Sequence, residues 1–112
     1  MILCHGASDA KSSQAFASVL LLNWRLRFGR IGLIEKPAGT KPAAGSDELR
    51  HYERHWTPVH IDFHVDDFEA FLARAVNAGA KCEQKFEGRG RPAIAFCSDP
   101  FGNGFCVLGT TA

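Results

Sequence analysis

An excess of charge, a membrane-length apolar run and paired cysteine motifs are all missing from this sequence. Its 13 Lys and Arg stand against 12 Asp and Glu, for a net charge of +1. The basic residues are scattered rather than run together, which excludes the electrostatic footprint of a nucleic-acid or acidic-membrane binder. No apolar run approaches the roughly 20 residues of a membrane span; "VLLL" near the first tryptophan is typical. The opening "MILCHG" has neither the basic nor the hydrophobic region of a secretion signal. The expectation is therefore a cytoplasmic protein whose Cys4, Cys82, Cys97 and Cys106 are reduced thiols. None of them lies in a C-x-x-C pair, which excludes a zinc knuckle and a thioredoxin-type motif. What remains is ordinary globular composition, 46% hydrophobic and 22% charged over 112 residues, enough for one domain.

The second half carries the clearer pattern. In "PVHIDFHV", Val59, Ile61, Phe63 and Val65 alternate with His60, Asp62 and His64. A period of two predicts a half-buried strand with a polar second face. Asp66 or Asp67 then caps a predicted helix, "DFEAFLARAVNA", with Phe68, Phe71, Leu72, Ala75 and Val76 as its apolar stripe and Gly79 as its stop. "KCEQKFE", "AIAFC" and "GFCVL" read as three further strands. Between the last two, Asp99-Pro100-Phe101-Gly102 has the residues of a type I turn. The order is β-α-β-β-β.

The first half reads as an abridged copy. "SDAKSSQAFASVLLL" can open a helix at Ser8 or Asp9, and "NWRLRF" and "RIGLIEK" are alternating strands about a turn at Gly29-Arg30. Only a few residues precede the helix as a first strand, and one strand with its turn is missing. The single domain thus divides into an abridged module at 1–36, a linker at 37–57 and a full module at 58–112. The linker begins rich in Pro, Gly and Ala. Its second part, "SDELRHYERHW", can form a short helix capped by Ser46, with Leu49, Tyr52 and Trp56 on one side.

From "HIDFHVDDFEAFLARAVNAGAK" through "SDPFGNGFCVLG" the chain resembles the C-terminal module of the vicinal-oxygen-chelate superfamily, the glyoxalase I, bleomycin-resistance and extradiol-dioxygenase proteins. The shared marks are a His opening the first strand, an Asp-capped helix ending in "AGA", and "DPFGN" before a last strand. The "GN-x-F-C" ending is closest to the glyoxalase-like branch. The resemblance implies an α+β fold of paired β-α-β-β-β modules whose curled mixed sheet surrounds a cavity, often across a dimer. In metal-dependent members a His on the first strand and a Glu on the last strand of each module are the ligands. His60 matches one such position, and Cys106 falls where the second module's Glu would be. His5 lies too close to Asp9 to match the first module's His. Glu35 is near the remaining position but out of phase, with Ile34 in the ligand place.

The cavity candidates are accordingly His60, Asp62, His64, Cys106 and Arg25, with His60, Cys106 and Glu35 as the metal set if a divalent metal is held at all. The expectation is a small-molecule-binding homodimer without metal, in the manner of the drug-sequestering members. The alternatives are a divalent-metal-dependent lyase, isomerase or dioxygenase, or a degenerate member without an active site, and whether the chain is an enzyme stays open. Cys106 sits among Phe105, Val107 and Leu108, where a cysteine packs as a small hydrophobe more readily than it acts as a nucleophile. Arg89 and Arg91 in "GRGRP" read as a solvated turn. His51 and His55, four residues apart, have a chelating spacing on a helix but no third ligand in view.

Overall fold

The computed structural model describes the backbone of residues 2–5 and 32–110, and side chains from Ile34 to Thr110. The expected first helix, the strand "NWRLRF" with Arg25, and the Gly29-Arg30 turn lie outside the described residues. Strand β1 (Ile2–His5) pairs in parallel with β2 (Gly32–Glu35). The second half supplies β3 (Ile61–Val65), helix α1 (Phe68–Asn77), β4 (Lys81–Phe86), β5 (Ile94–Ser98) and β6 (Gly104–Gly109). This is the β-α-β-β-β order expected from the sequence, and the fold is α+β. The sheet runs β3-β6-β5-β4, with β3 parallel to β6 and the other pairs antiparallel. No helix among the described residues is long and apolar enough to cross a membrane.

Local chemistry accounts for each element. Asp67 is the cap of α1, its carboxylate accepting from the Ala70 N–H at 3.0 Å. The helix ends where Gly79 takes φ +113°, with the Gly79 and Ala80 N–H groups donating to Val76 and Ala75 carbonyls. At the last turn, Asp99 Oδ1 accepts from the Phe101 N–H at 2.8 Å and the Asn103 N–H at 2.9 Å. Its Oδ2 accepts from Asn103 Nδ2 at 2.8 Å. Burial pushes the Asp99 carboxyl up, and those hydrogen bonds pull it back.

Alternation sorts the sheet into two faces. Ile61, Phe63, Phe105, Val107, Ala95 and Cys97 meet Phe68, Phe71, Leu72 and Ala75 of α1 in one core cluster. Phe63 packs edge-on against Phe105 at 5.7 Å and tilted against Phe71 at 5.9 Å. Val76, expected in the apolar stripe, is 45% exposed, at the rim of a groove beside α1. The opposite face carries Asp62, His64, Cys106, Phe96 and Gln84 by register.

The linker differs from expectation. No helix forms at Ser46, whose hydroxyl instead accepts from the Glu48 N–H at 3.2 Å in a local turn. The Thr40 and Arg50 backbones approach across the loop, Arg50 N–H donating to the Thr40 carbonyl at 2.8 Å. The Arg50 guanidinium also reaches Thr40 Oγ1 and the Lys41 carbonyl, each at 2.8 Å. Tyr52 donates to the Lys36 carbonyl, while Leu49 is 52% exposed. Cross-loop bonds to Arg50 and Tyr52 thus replace the expected helical face.

Candidate functional site

A strap of residues 53–56 crosses the start of β6 and supplies one wall of a cavity. The His55 N–H donates to the Gly102 carbonyl at 2.9 Å, and His55 bridges Asn103. The approach is so close that glycine is required beneath it. A Cβ on Gly104 would lie 2.5 Å from the Trp56 ring, and one on Gly102 would lie 2.4 Å from the Glu53 carbonyl oxygen. Arg54 anchors the strap to β4 through both oxygens of Glu83, with Nε donating to Oε2 at 2.6 Å. Its guanidinium also stacks on Trp56, 4.6 Å from the ring centroid.

The Arg54 guanidinium holds the Glu83 carboxyl below its usual range, and Glu83 raises Arg54 in return. A depressed folded-state carboxylate stabilises at pH values above its unfolded pKa, and the contribution fades as pH falls through the lowered value. Both partners are partly solvated, so the pair is worth less than about 1 kcal/mol.

The resulting cavity of about 530 Å³ is lined by Trp56, His60, Glu83, Gln84 and Phe96. Trp56 stands edge-on to His60 at 5.4 Å and to Phe96 at 6.1 Å. At its polar end, His60 Nε2 lies 3.1 Å from Asp62 Oδ1 and 3.7 Å from Cys106 Sγ. His60, Asp62 and Cys106 are therefore brought together. Their three donor atoms all lie within 4.8 Å of one another. His64 is exposed one pair further along, level with Leu108, and does not line the cavity. Arg25 lies outside the described residues. His51 and His55 meet edge-on at 5.6 Å, but on an irregular loop rather than a helix.

Cys106 is buried, and burial and then Asp62 push its thiol up to about 11, so it is protonated at neutral pH. A thiol–imidazole–carboxylate relay uses opposite ring nitrogens. Here both neighbours share Nε2, so the cluster is not a nucleophilic triad. Sequence reasoning missed Trp56, Phe96, Glu83 and Gln84 as lining residues. The phase of "AIAFC" carried a signal for Phe96, whereas nothing local marked the others.

A β-α-β-β-β module with its helix on one sheet face and a polar, aromatic-walled cavity on the other defines the vicinal-oxygen-chelate class of protein. A family model for the glyoxalase-like domain matches residues 2–108, and the chain belongs to that family. No curated protein matches it. Among solved structures, a glyoxalase/bleomycin resistance protein from Albidiferax ferrireducens T118 shares 20% identity at a TM-score of 0.64, covering 98% of this chain and 97% of that one. A fosfomycin resistance protein from Listeria monocytogenes shares 12% at 0.60, covering 99% and 92%. A lactoylglutathione lyase from Agrobacterium tumefaciens shares 17% at 0.52, covering 97% and 91%. At these identities the likeness establishes the fold.

The metal set of this superfamily can be tested against the strand registers. Ile2 directly precedes the pair of Leu3 with Leu33, as His60 directly precedes the pair of Ile61 with Phe105. On that equivalence Ile2 takes the place of His60, and Ile34 takes that of Cys106. Two of the four ligand positions thus carry isoleucine and a third carries cysteine, so the family's donor set of two His and two Glu is not reproduced by these residues. Glu35 pairs with His5 and is not part of the His60, Asp62 and Cys106 group.

Proposed function

We propose that the chain binds a small, partly apolar organic molecule in the cavity between the strap and the sheet, without a resident metal ion. The observation that carries this reading is the convergence of two aromatic walls, Trp56 and Phe96, on the polar groups of His60 and Gln84 around about 530 Å³. That is the size and chemistry of a small-molecule pocket. The names of the solved relatives, resistance proteins for bleomycin and fosfomycin among them, agree with a binding or sequestering role. The ligand presents an apolar ring or chain to Trp56 and Phe96, and a polar group to His60 and Gln84.

The test is a thermal-shift screen of small aromatic and amphiphilic compounds with the full chain. A compound that raises the melting temperature should bind at least about tenfold more weakly to Trp56→Ala, since an aromatic wall covered by the ligand is a typical hot spot. A chelator should leave its affinity unchanged. Binding that survives both Trp56→Ala and Gln84→Ala would place the ligand elsewhere. The second reading, a metal-dependent enzyme, is favoured by the three donors of His60, Asp62 and Cys106. Elemental analysis of protein purified without chelators separates the two. About one equivalent of a divalent metal, lost in His60→Ala, would establish the second.

The same reading includes a homodimer. The second sheet face leaves Phe86 48% exposed, and β3 and β4 are both edges of the four-stranded sheet. Sedimentation should give twice the chain mass; a monomer throughout the micromolar range would refute the dimer.

A further inference from the structure

On the helix side of the sheet, away from the proposed pocket, two cysteines face each other directly. Cys82 of β4 and Cys97 of β5 are register partners in an antiparallel pair. Such partners place their Cα atoms about 4.5–5.5 Å apart, inside the range of about 4.4–6.8 Å that a disulfide spans. Both side chains lie on the α1 side, Cys97 in the core cluster and Cys82 packed against it. The two differ in access. Cys97 is 0% exposed, whereas Cys82 is half-buried at the edge of a second groove of about 350 Å³, shared with Glu69, Leu72, Val76 and Asn77. A register shift between Cys82 and Gln84 interrupts the regular ladder beside the pair, which gives the β4 backbone room to adjust.

We propose that Cys82 and Cys97 form a dithiol site that closes reversibly to a disulfide on reaction with a hydroperoxide. The groove admits the small oxidant to Cys82. The Cys82 thiolate attacks a peroxide oxygen, the O–O bond breaks, and hydroxide leaves to take up the thiol's proton as water. The product is a Cys82 sulfenic acid. The Cys97 sulfur then attacks the Cys82 sulfur, the S–O bond breaks, and the hydroxyl leaves with the Cys97 proton as a second water. Each sulfur loses one electron and the peroxide gains two. Cys97, 0% exposed, is out of reach of peroxide, so Cys82 on the groove reacts first and Cys97 meets the sulfenic acid beside it. Cys106, on the opposite sheet face, takes no part.

The experiment treats the reduced full-length chain with excess hydrogen peroxide, blocks remaining thiols, and reads intact mass and linked peptides. The expected result is loss of one hydrogen from each of two thiols, a Cys82–Cys97 linked peptide pair, and recovery of both thiols with dithiothreitol. Cys97→Ser should stop at a Cys82 sulfenic acid that dimedone traps, and Cys82→Ser should leave Cys97 unmodified in the folded protein. A wild-type chain that accumulates trappable Cys82 sulfenic acid without the linked pair would overturn the proposal. So would a disulfide running chiefly through Cys4 or Cys106. Unfolding curves of the oxidised chain provide the control: a linked pair found only in chains that have lost cooperative unfolding also counts against it.

Discussion

Truncating Phe63 to alanine is expected to destabilise the fold by about 3–5 kcal/mol, while truncating its neighbour His64 should change stability by less than about 0.5 kcal/mol. The contrast follows from strand parity. Phe63 is 5% exposed and packed between Phe105 of β6 and Phe71 of α1, so alanine leaves a cavity that these two partners cannot collapse to fill. His64 points to the other face and is exposed. Ile61→Ala belongs with Phe63, at about 2–5 kcal/mol. Urea unfolding of the three variants reads the prediction, as a shift in midpoint with little change in slope. Similar losses at Phe63 and His64 would mean that β3 is buried on both faces, and the pocket would then have to lie on another part of the chain.

That parity was legible because β3 and β6 are regular, and a period of two survives in "HIDFHV" and "GFCVL". The Asp67 cap, the Gly79 stop and the Asp99 turn were legible for a similar reason, since each is made by residues within a few positions of one another. The pocket was not. On β4 the register moves from Cys82 opposite Cys97 to Gln84 opposite Phe96, so two steps on one strand match one on the other. This bulge turns Gln84 to the cavity face, although simple alternation would put it on the side of Cys82. Trp56 and Arg54 are further still from a local rule. Their places depend on Gly104 and Glu83, which no periodicity connects to them. The linker was misread for the same reason: "SDELRHYERHW" has helix-compatible spacing, but Arg50 and Tyr52 satisfy carbonyls across the loop instead. Of the candidate metal ligands, His60 and Cys106 lie together with Asp62, while Glu35 does not join them.

Gly102→Ala is expected to cost roughly 2–5 kcal/mol, adding the penalty of a non-glycine residue in the left-handed region to that of displacing a neighbour. Gly102 has φ +86°, and an added Cβ would meet the backbone of Glu53 and Tyr52, which has no flexible end to swing aside. The strap must therefore lift from the turn, breaking the bond from His55 N–H to the Gly102 carbonyl and withdrawing Trp56 from the cavity. Gly90 provides the control. Its φ of +71° carries a similar backbone penalty, but an added Cβ there meets nothing within 4 Å. Gly90→Ala should thus cost only about 1–2 kcal/mol, and the difference between the variants measures how tightly the strap is held. In a Trp24→Phe background, where Trp56 is the remaining indole, Gly102→Ala should shift tryptophan emission to longer wavelength and weaken any ligand found by screening. Gly90→Ala should do neither. Equal costs at the two glycines, with Trp56 emission unchanged, would show that the strap does not depend on its seat over the turn, and the cavity wall would need another source of support.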